Sequence, residues 1–314
     1  GLLLAATTPV DVEATRAYFL AERTLEALER HASSSNPFFH RIDFHGPHHP
    51  YVIPEPYASM YDPSDIEPWD TYVETFDGKP AVHEQYVHYR NVAGFDWDTW
   101  SKVIAKYWGF VTMIDDQIER ILEGLEDHDF AAETAVVHAS DHGDFVGNHR
   151  QFNKGPLMYD DTYRIPLQVR WPGVVEPGAT SELPVSLLDL APTFLELGDV
   201  PLPDDLDGRS LVPLLEGRQP EEWSDAVFAE YHGDEFGLYS QRMIRTNEYK
   251  FVYNGPDRNE LYDLTADPAE LQNLSEHPEY DDVRRELSKR LVEWMDETDD
   301  SIRQWVPSTF DTDQ

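Results

Sequence analysis

The sequence predicts an α/β protein, a mostly parallel sheet sandwiched by helices, followed by a small C-terminal antiparallel sheet with a helix. Amphipathic segments alternate with short apolar runs over the first two hundred residues, an order typical of a parallel sheet covered by helices. After residue 222 several short β-like runs follow one another around turn residues instead. We place a boundary in the Pro/Asp/Gly-rich stretch before them and predict domains over residues 1–222 and 223–314.

Four segments carry the periodicity of helices. The first runs from Asp11 to His31, and the strongest runs from Trp97 to Leu125, where apolar residues recur at steps of three and four. Leu187 to Leu197 is a third helix, which Gly198 is suited to end. Tyr280 to Met295 is the fourth and closes the chain before an acidic tail.

Short apolar runs predict the strands. Phe38 to His45 is expected to be a buried strand, and Thr134 to Ala139 and Ile165 to Arg170 are expected to be two more. The stretch from Tyr51 to Asp96 is rich in Pro, Asp, Tyr and His and has no clear period. A connection of that length is usually functional, so we expect it to cross over a site.

The charge of the chain excludes one class of partner and leaves two interpretations open. Asp and Glu number 61 against 24 Lys and Arg, of which six are Lys, and the formal charge is −37. Nucleic-acid binding requires a basic face and is not expected. Because the acids are spread along elements with a sound apolar pattern, they favour a protein adapted to high salt over an acidic partner for a basic ligand.

The chain shows no sign of disulfide chemistry or membrane attachment. It contains no Cys, which excludes disulfides and thiolate sites within these residues. No apolar run approaches the roughly 20 residues that span a bilayer. The opening GLLLAATTPV has no basic flank and no initiator Met. It is a poor signal peptide, so we expect a cytoplasmic chain that begins inside a domain on a strand-like segment.

Asp141 and His142, directly after a predicted strand, are candidate metal ligands. A carboxylate and an imidazole offer oxygen and nitrogen to a divalent cation. The alternative is an Asp that caps the next turn and a surface His. Gly143 and Gly147 favour the functional interpretation, since glycine permits close backbone approach and positive φ where a ligand crowds a loop.

Lys154 and the histidines at 45–49 are candidate anion-binding residues. Lys154 lies in a Gly-flanked loop of a chain with few lysines, and its ammonium can hold a tetrahedral anion, although a stray surface lysine remains an alternative. Among the histidines we favour His48 as an anion contact or general acid. His45 and His49 are equally compatible with structural roles. Asp160, Asp161, Arg164 and Pro166 are interpreted as a polar helix-to-strand connection.

These segments together resemble the sulfatase family, within the alkaline-phosphatase-like superfamily. The block SDHGDFVGNHRQFNKG (residues 140–155) is similar to that family's S-D-H-G, G-x-H and K-G series, and NPFFHRIDFHGPHHPY (36–51) to its P-F-F and P-H-x-P-[YF] segment. LDGRSLVPLLEG (206–217) and NELYDLTADPAELQNLSEHPEY (259–280) resemble its later signatures. The likeness covers nearly the whole chain, and the motifs are specific in combination.

The resemblance implies a function and a site. Asp141 and His142 would bind a divalent metal, Ca²⁺ or a similar ion, while Lys154 and His48 would contact the sulfate of a small-molecule or carbohydrate sulfate ester. The family's nucleophile is a formylglycine made from Cys or Ser in C/S-x-P-x-R. A phosphonate or phosphodiester hydrolase of the same superfamily is the alternative enzyme, and a non-catalytic binder of sulfated ligands is the alternative from another class.

The sequence departs from the family at the nucleophile. No C/S-x-P-x-R occurs in it, and the paired acidic metal ligands expected near a family member's N-terminus have no counterpart. We therefore expect an N-terminally truncated sulfatase that is inactive on its own. A natural pseudoenzyme, or a partner chain that supplies the other half of the site, are alternatives.

Overall fold

A computed structural model describes residues 4–233, 237–255, 257–307 and 310. Its first strand, β1 (Ala5–Thr7), pairs in parallel with β2 (Tyr51–Ile53), and helix α1 (Arg16–Ala32) connects them. The expected N-terminal strand is thus present over residues 5–7, while residues 1–3 lie outside the described part. The helix predicted from Asp11 begins at Arg16, after a short 3-10 turn over Val12–Ala14.

The longest helix organises the first half of the molecule. Helix α2 (Ala81–Tyr89) precedes it, and α3 (Trp97–Asp127) confirms the strongest predicted helix. The carboxylate of Asp96 caps α3 by accepting from the backbone N–H of Thr99 at 2.9 Å. Its buried face includes Trp100, which is fully enclosed. This helix contacts both α1 and the β1–β2 pair, so it joins the first helix and the parallel strands in one packed unit.

The next two strands form an antiparallel pair, an exception within the mostly parallel architecture that the sequence predicted. Strand β3 (Val136–Ala139) and strand β4 (Leu167–Arg170) are antiparallel, with Val136 opposite Arg170. A loop and the one-turn helix α4 (Asp160–Tyr163) join them. Because no helix packs across the sheet between the two strands as a crossover, the chain returns antiparallel.

The prediction of a buried strand from Phe38 to His45 was wrong. The segment is extended but forms no ladder with another described strand, and the ring of Phe39 is 69% exposed. An apolar run becomes a strand only when a neighbour satisfies its backbone groups. The described residues supply no such neighbour here.

The C-terminal region agrees with the sequence. Helices α5 (Leu190–Leu197) and α6 (Val212–Leu215) lead into four antiparallel strands in the order β5 (Ala226–His232), β6 (Ser240–Thr246), β7 (Tyr249–Tyr253), β8 (Glu260–Asp263). Helix α7 (Asp281–Glu297) packs on this sheet around Phe251, Leu287 and Leu291. The predicted boundary at residues 222/223 falls just before β5 and stays a prediction. None of the described helices has the length and apolar composition needed to cross a bilayer.

Candidate anion and metal site

The loop that follows β3 folds back on itself as a tight hairpin. The N–H of Phe145 donates to the carbonyl of Asn153 at 2.9 Å, and that of Gly147 to Gln151 at 2.9 Å. Gly147 has φ +94°, and a Cβ on Gly143 would overlap the carbonyl of Asp161. Gly147 thus has positive φ and Gly143 permits a close backbone approach. The close neighbours are the protein's own Trp100 and Asp161, so the prediction that a ligand crowds this loop stays a prediction.

Asp144 holds the two sides of this hairpin together. Its carboxylate accepts from the N–H groups of Val146 and Asn153 at 3.2 and 3.0 Å, and from the hydroxyl of Tyr51 at 2.8 Å. Burial raises the pKa of Asp144, and these three donors oppose that rise. The sequence reasoning missed this residue, although its position one step after the Asp-His-Gly run was a usable signal.

The structure brings Lys154 and His48 together. Lys154 Nζ lies 3.1 Å from His48 Nε2, across 106 residues of sequence. His48 Nδ1 is 2.8 Å from the carbonyl of His49. A carbonyl can only accept, so Nδ1 carries a proton, and an ammonium can only donate, so Nε2 offers its lone pair to Lys154. The imidazole is thus held as one defined tautomer.

Three histidine rings form a stack beside Lys154. The ring centroids of His45 and His48 are 5.0 Å apart, those of His48 and His49 are 4.6 Å apart, and the edge of His49 meets Phe152. Burial and the neighbouring cations lower the pKa of His49 to about 4. The same causes lower the pKa of His45. We call this group of side chains the cationic hollow (His45, His48, His49, Lys154), after the ammonium of Lys154, whose charge contributes to the lowered pKa of both His45 and His49.

The backbone of Lys154 is fixed by helix α2. The hydroxyl of Tyr86 and the guanidinium of Arg90 both donate to the carbonyl of Lys154. A Cβ on Gly155 would overlap the Tyr86 ring. The predicted excursion over residues 51–96 therefore does reach the site, through a helix that its weak periodicity did not reveal.

Asp141 and His142 precede the first side of the same hairpin, and Lys154 follows its second side. The side chain of Asp141 is 83% exposed, and its Oδ2 is 3.7 Å from His142 Nε2. His142 Nδ1 lies 2.8 Å from the carbonyl of Gly143 and so carries the ring proton. The lone pair of Nε2 and a carboxylate oxygen therefore lie close to each other without a hydrogen between them, an arrangement that fits a bound cation. A metal-ligating histidine commonly donates its other N–H to a carbonyl in this way.

The described residues provide only part of a metal site. Over the ranges that the structure describes, no group of three or more His, Asp or Glu side chains is arranged to hold an ion. Asp141 and His142 would supply two ligands. Asp144, two residues further along the chain, accepts from the N–H of Asn153, the residue before Lys154.

His149, the second histidine of the loop, is a buried positioning group. It is 1% exposed, its Nδ1 lies 2.9 Å from Glu74 Oε2, its Nε2 lies 3.4 Å from Asp161 Oδ2, and its ring stacks on Tyr159 at 3.7 Å. Burial opposes its charge, but the bonds to Asp161 and Glu74 outweigh burial and raise the pKa of His149. Asp161 thus belongs to a buried contact in addition to the polar connection that the sequence indicated.

Comparisons with known proteins match this geometry to a family. The sulfatase family model matches residues 11–200, and the model described as N-sulphoglucosamine sulphohydrolase, C-terminal, matches residues 147–297. The chain is 29% identical over 306 residues to the uncharacterized sulfatase YidJ of Escherichia coli, covering 94% of this chain and 59% of that protein. It is 35% identical over 200 residues to N-acetylglucosamine-6-O-sulfatase of Bacteroides thetaiotaomicron, covering 62% and 36%.

A solved structure extends the match to three dimensions. The phosphonate monoester hydrolase of Agrobacterium radiobacter superposes with a TM-score of 0.79 at 27% identity, covering 97% of this chain and 64% of that one. The chain thus spans less than two thirds of the length of each of these relatives. The matching family model covers more than half of the 314 residues, and the chain belongs to the sulfatase family, within the alkaline-phosphatase-like superfamily.

Proposed function

We propose that this chain contains the sulfate-binding part of the active site of a sulfuric ester hydrolase. The observation that carries the proposal is the pairing of Lys154 Nζ with His48 Nε2 at 3.1 Å inside the cationic hollow. Two nitrogens from distant segments converge there, and the charges that shift the pKa of His45 are positive. A tetrahedral oxyanion between the two nitrogens would supply the missing negative charge.

In this proposal Lys154 stabilises charge on the sulfate, and His48 donates a proton to the leaving oxygen. Lys154 donates to a non-bridging sulfate oxygen and to the ester oxygen, and so offsets charge that develops as the S–O bond breaks. His48, protonated at Nε2 when the anion replaces the lone-pair contact, gives that proton to the leaving oxygen. The bond from Nδ1 to the carbonyl of His49 keeps Nε2 directed at the site throughout.

Asp141 and His142 are proposed to hold a divalent cation, for which the family resemblance implies Ca²⁺. Bound there, the ion would neutralise negative charge on the sulfate and on the nucleophile. The facing carboxylate oxygen and imidazole lone pair support the assignment. A mixed oxygen and nitrogen set also suits transition metals, so a binding comparison should include Mn²⁺ and Zn²⁺ beside Ca²⁺.

The nucleophile is proposed to come from outside these 314 residues. The sequence contains no C/S-x-P-x-R in which a formylglycine could form, so we expect no multiple turnover by this chain alone. Reading the DNA upstream of the Gly1 codon tests this idea. An in-frame motif there supports a sulfatase, whereas a start codon at that point supports the alternative of a non-catalytic binder.

A binding experiment tests the sulfate site directly. Titration calorimetry with inorganic sulfate at low salt should give a measurable Kd, and Lys154→Ala should weaken it about tenfold or more, because a charge-assisted bond is removed. His48→Gln should weaken it as well. The control is Lys102→Ala, which removes an exposed lysine of α3 that pairs with Asp98. Equal affinity in all four proteins would refute the site.

The alternative enzyme is a phosphonate or phosphodiester hydrolase. The superposition with a phosphonate monoester hydrolase favours it, and the likeness to an N-acetylglucosamine-6-O-sulfatase favours a carbohydrate sulfate. Competition between phenyl sulfate and phenyl phosphonate for this chain discriminates the two. Tighter binding of the sulfate at a pH where the phosphonate is dianionic supports our choice, and the reverse order supports the alternative.

A further inference from the structure

We propose that the C-terminal sheet positions the Asp141–His142 pair through helix α4, with Asp160 and Asp161 as positioning residues. This inference rests on the metal site of the proposed function and extends it to two residues outside the site loop (residues 140–155). The two acids belong to the polar connection that the sequence indicates. In the structure they bind different partners, one in the C-terminal sheet and one in the site loop.

Asp160 anchors the start of α4 to the C-terminal sheet. Its carboxylate accepts from the guanidinium of Arg245 on β6 at 2.7 Å and lies 2.5 Å from the ammonium of Lys250 on β7. Its backbone N–H donates to the carboxylate of Glu270 at 2.7 Å, and Glu270 pairs with Lys250 at 2.6 Å. Lys250 is fully enclosed. Because these bonds join charged groups out of contact with water, they hold α4 firmly against β6 and β7.

The backbone of α4 binds the start of the site loop. The carbonyl of Thr162 accepts from the N–H of Gly143 at 2.9 Å. Gly143 lies so close to Asp161 that a Cβ on the glycine would overlap the carbonyl of Asp161. The carbonyl of Gly143 in turn accepts from Nδ1 of His142 at 2.8 Å. One glycine thus joins α4 to the imidazole proposed as a metal ligand, so a shift of α4 would shift that imidazole.

The side chain of Asp161 holds the tip of the hairpin within the same loop. Its Oδ2 lies 3.4 Å from Nε2 of His149, and Nδ1 of that ring lies 2.9 Å from Glu74. The tip requires such contacts, because Val146, His149 and Arg150 have φ of 41°, 47° and 57°. Residues other than glycine rarely adopt this region, a β-branched valine least of all, and they keep it only where the surrounding structure imposes it.

Lys154 is anchored independently of α4. Its carbonyl accepts from the hydroxyl of Tyr86 on α2 and from the guanidinium of Arg90, which follows that helix. Loss of the contact to α4 should therefore disturb the metal pair far more than the anion contact of Lys154. This difference separates positioning from a general loss of folding, which would weaken the binding of both ligands alike.

Calorimetry on the whole chain tests the proposal, with calcium chloride and sodium sulfate as the probes. Asp161→Ala should raise the Kd for Ca²⁺ about tenfold, because a contact between charged groups is lost, while the Kd for sulfate changes less than about twofold. Asp161→Asn keeps an oxygen that accepts from His149 and should restore most of the Ca²⁺ affinity. Asp160→Asn, which weakens the hold of the C-terminal sheet on α4, should also weaken Ca²⁺ binding selectively.

Asp300→Asn is the matched control. Asp300 follows α7 and pairs with Arg242, an enclosed residue of β6. Its replacement removes a buried ion pair of the same sheet without touching α4. It should lower stability and leave the Kd for both probes unchanged.

Hydrogen exchange followed by mass spectrometry gives a second measurement that needs no ligand. In Asp161→Ala, peptides covering residues 140–155 should exchange about tenfold faster than in the wild type, because the loop opens locally, and peptides covering β6 and β7 should keep their rates. In Asp300→Asn the site loop should exchange as in the wild type.

The outcomes separate this inference from the proposed function. If the wild type binds neither probe, the proposed site fails, and the exchange rates alone decide whether Asp161 holds the loop. Unchanged exchange of residues 140–155 in Asp161→Ala, or faster exchange with an unchanged Kd for Ca²⁺, would refute the positioning role. Equal losses of Ca²⁺ and sulfate affinity would refute it as well. Wild-type Ca²⁺ affinity in Asp160→Asn would refute the part assigned to the C-terminal sheet.

Discussion

Lys79 and Lys154 are two of only six lysines, and they lie in opposite electrostatic surroundings. Lys79 is fully enclosed: it pairs with Glu74 and donates to the hydroxyl of Tyr159 at 2.8 Å and to the carbonyl of Glu270 at 2.7 Å. Lys154 is half-buried, and its ammonium meets an imidazole at 3.1 Å beside other cations.

Lys79 is part of a buried ionic network that joins the two halves of the molecule. The network also holds His83 against Glu260 at 3.1 Å and Lys250 against Glu270 at 2.6 Å. Both acids come from the C-terminal signature of the family, and the sequence gave no sign that they are buried. Desolvation alone would raise the pKa of Glu260, but His83 and its other partners hold it at about 2.

The different surroundings of Lys79 and Lys154 indicate different roles for the buried network and the cationic hollow. In the network every charge is matched within the protein, which is what burial demands of a structural contact. In the cationic hollow positive charge is matched incompletely and remains accessible. Among the described residues, the side-chain polar contacts of His48 and Lys154 are with each other and with a backbone carbonyl, not with a carboxylate, which supports an external anion as the partner.

Replacing each lysine in turn is the most direct test of this difference between the two regions. Lys79→Met should lower the free energy of unfolding by about 3–5 kcal/mol, because it leaves buried acceptors and the Glu74 carboxylate without their cation. Lys154→Met should change stability much less, since the half-buried ammonium loses only its bond to the imidazole of His48. Urea denaturation followed by tryptophan fluorescence measures both.

The exposed pair Lys102–Asp98 is the matched control for this experiment. Lys102→Met should change stability little, as exposed pairs do. A loss at Lys154 as large as the loss at Lys79 would show that the hollow is structural and would contradict our interpretation.

Salt should affect the two regions differently. Raising KCl from 0.1 to about 2 M should raise the thermal midpoint of the whole chain, because the Debye length falls from roughly 10 Å to below about 3 Å and the surface acids repel less. The stability lost in Lys79→Met should stay nearly constant, since buried pairs are screened little. The Kd for sulfate should rise steeply. A midpoint that falls or stays flat would contradict the proposed adaptation to high salt.

We also expect His149 to contribute to the pH dependence of stability, with a smaller effect than the lysine substitutions or salt. Its pKa is raised in the folded state by Asp161 and Glu74, with Lys79 opposing and Tyr159 stacked on the ring. The stabilisation is therefore complete below the unfolded value of about 6.5 and is lost as the pH rises through the higher folded value. Equilibrium denaturation between pH 6 and 9 should show this decline.

The variant His149→Asn isolates the contribution of the His149 imidazole to the pH dependence of stability. Asparagine tolerates the positive φ of 47° at this position but does not titrate. The variant should be less stable at pH 6 and should lose less stability toward pH 9 than the wild type. Parallel pH profiles for the two proteins would show that the imidazole is not the group responsible.

The sequence predicts the elements that depend on local interactions better than the features that depend on contacts between distant segments. Helix α3 and the C-terminal sheet follow from local periodicity and turn residues, and both were predicted. The resemblance implied that His48 and Lys154 contact one sulfate, and the structure places their side-chain nitrogens 3.1 Å apart. The strand over Ile165 to Arg170 was predicted without its pairing sense, and the buried strand from Phe38 to His45 was predicted wrongly, because each depends on a neighbouring segment rather than on its own pattern.

The buried network was beyond prediction for a related reason. Glu74 lies in a stretch without periodicity, and His149 was read only as part of a loop motif. Their importance arises from a contact between positions 75 residues apart. A charged residue in a single sequence is most simply assigned to the surface, and only its partners reveal that it is enclosed.

The bond from Tyr86 to the carbonyl of Lys154 has a consequence for how this family can diversify. It ties the backbone of Lys154, whose amine is proposed to bind the oxyanion, to one helix within the long excursion between β2 and α3. Insertions on either side of that helix leave the anchor in place, so evolution can remodel the walls of the pocket there. Changes within residues 81–89 displace the amine itself, and these nine positions should therefore vary far less among proteins that hydrolyse different esters.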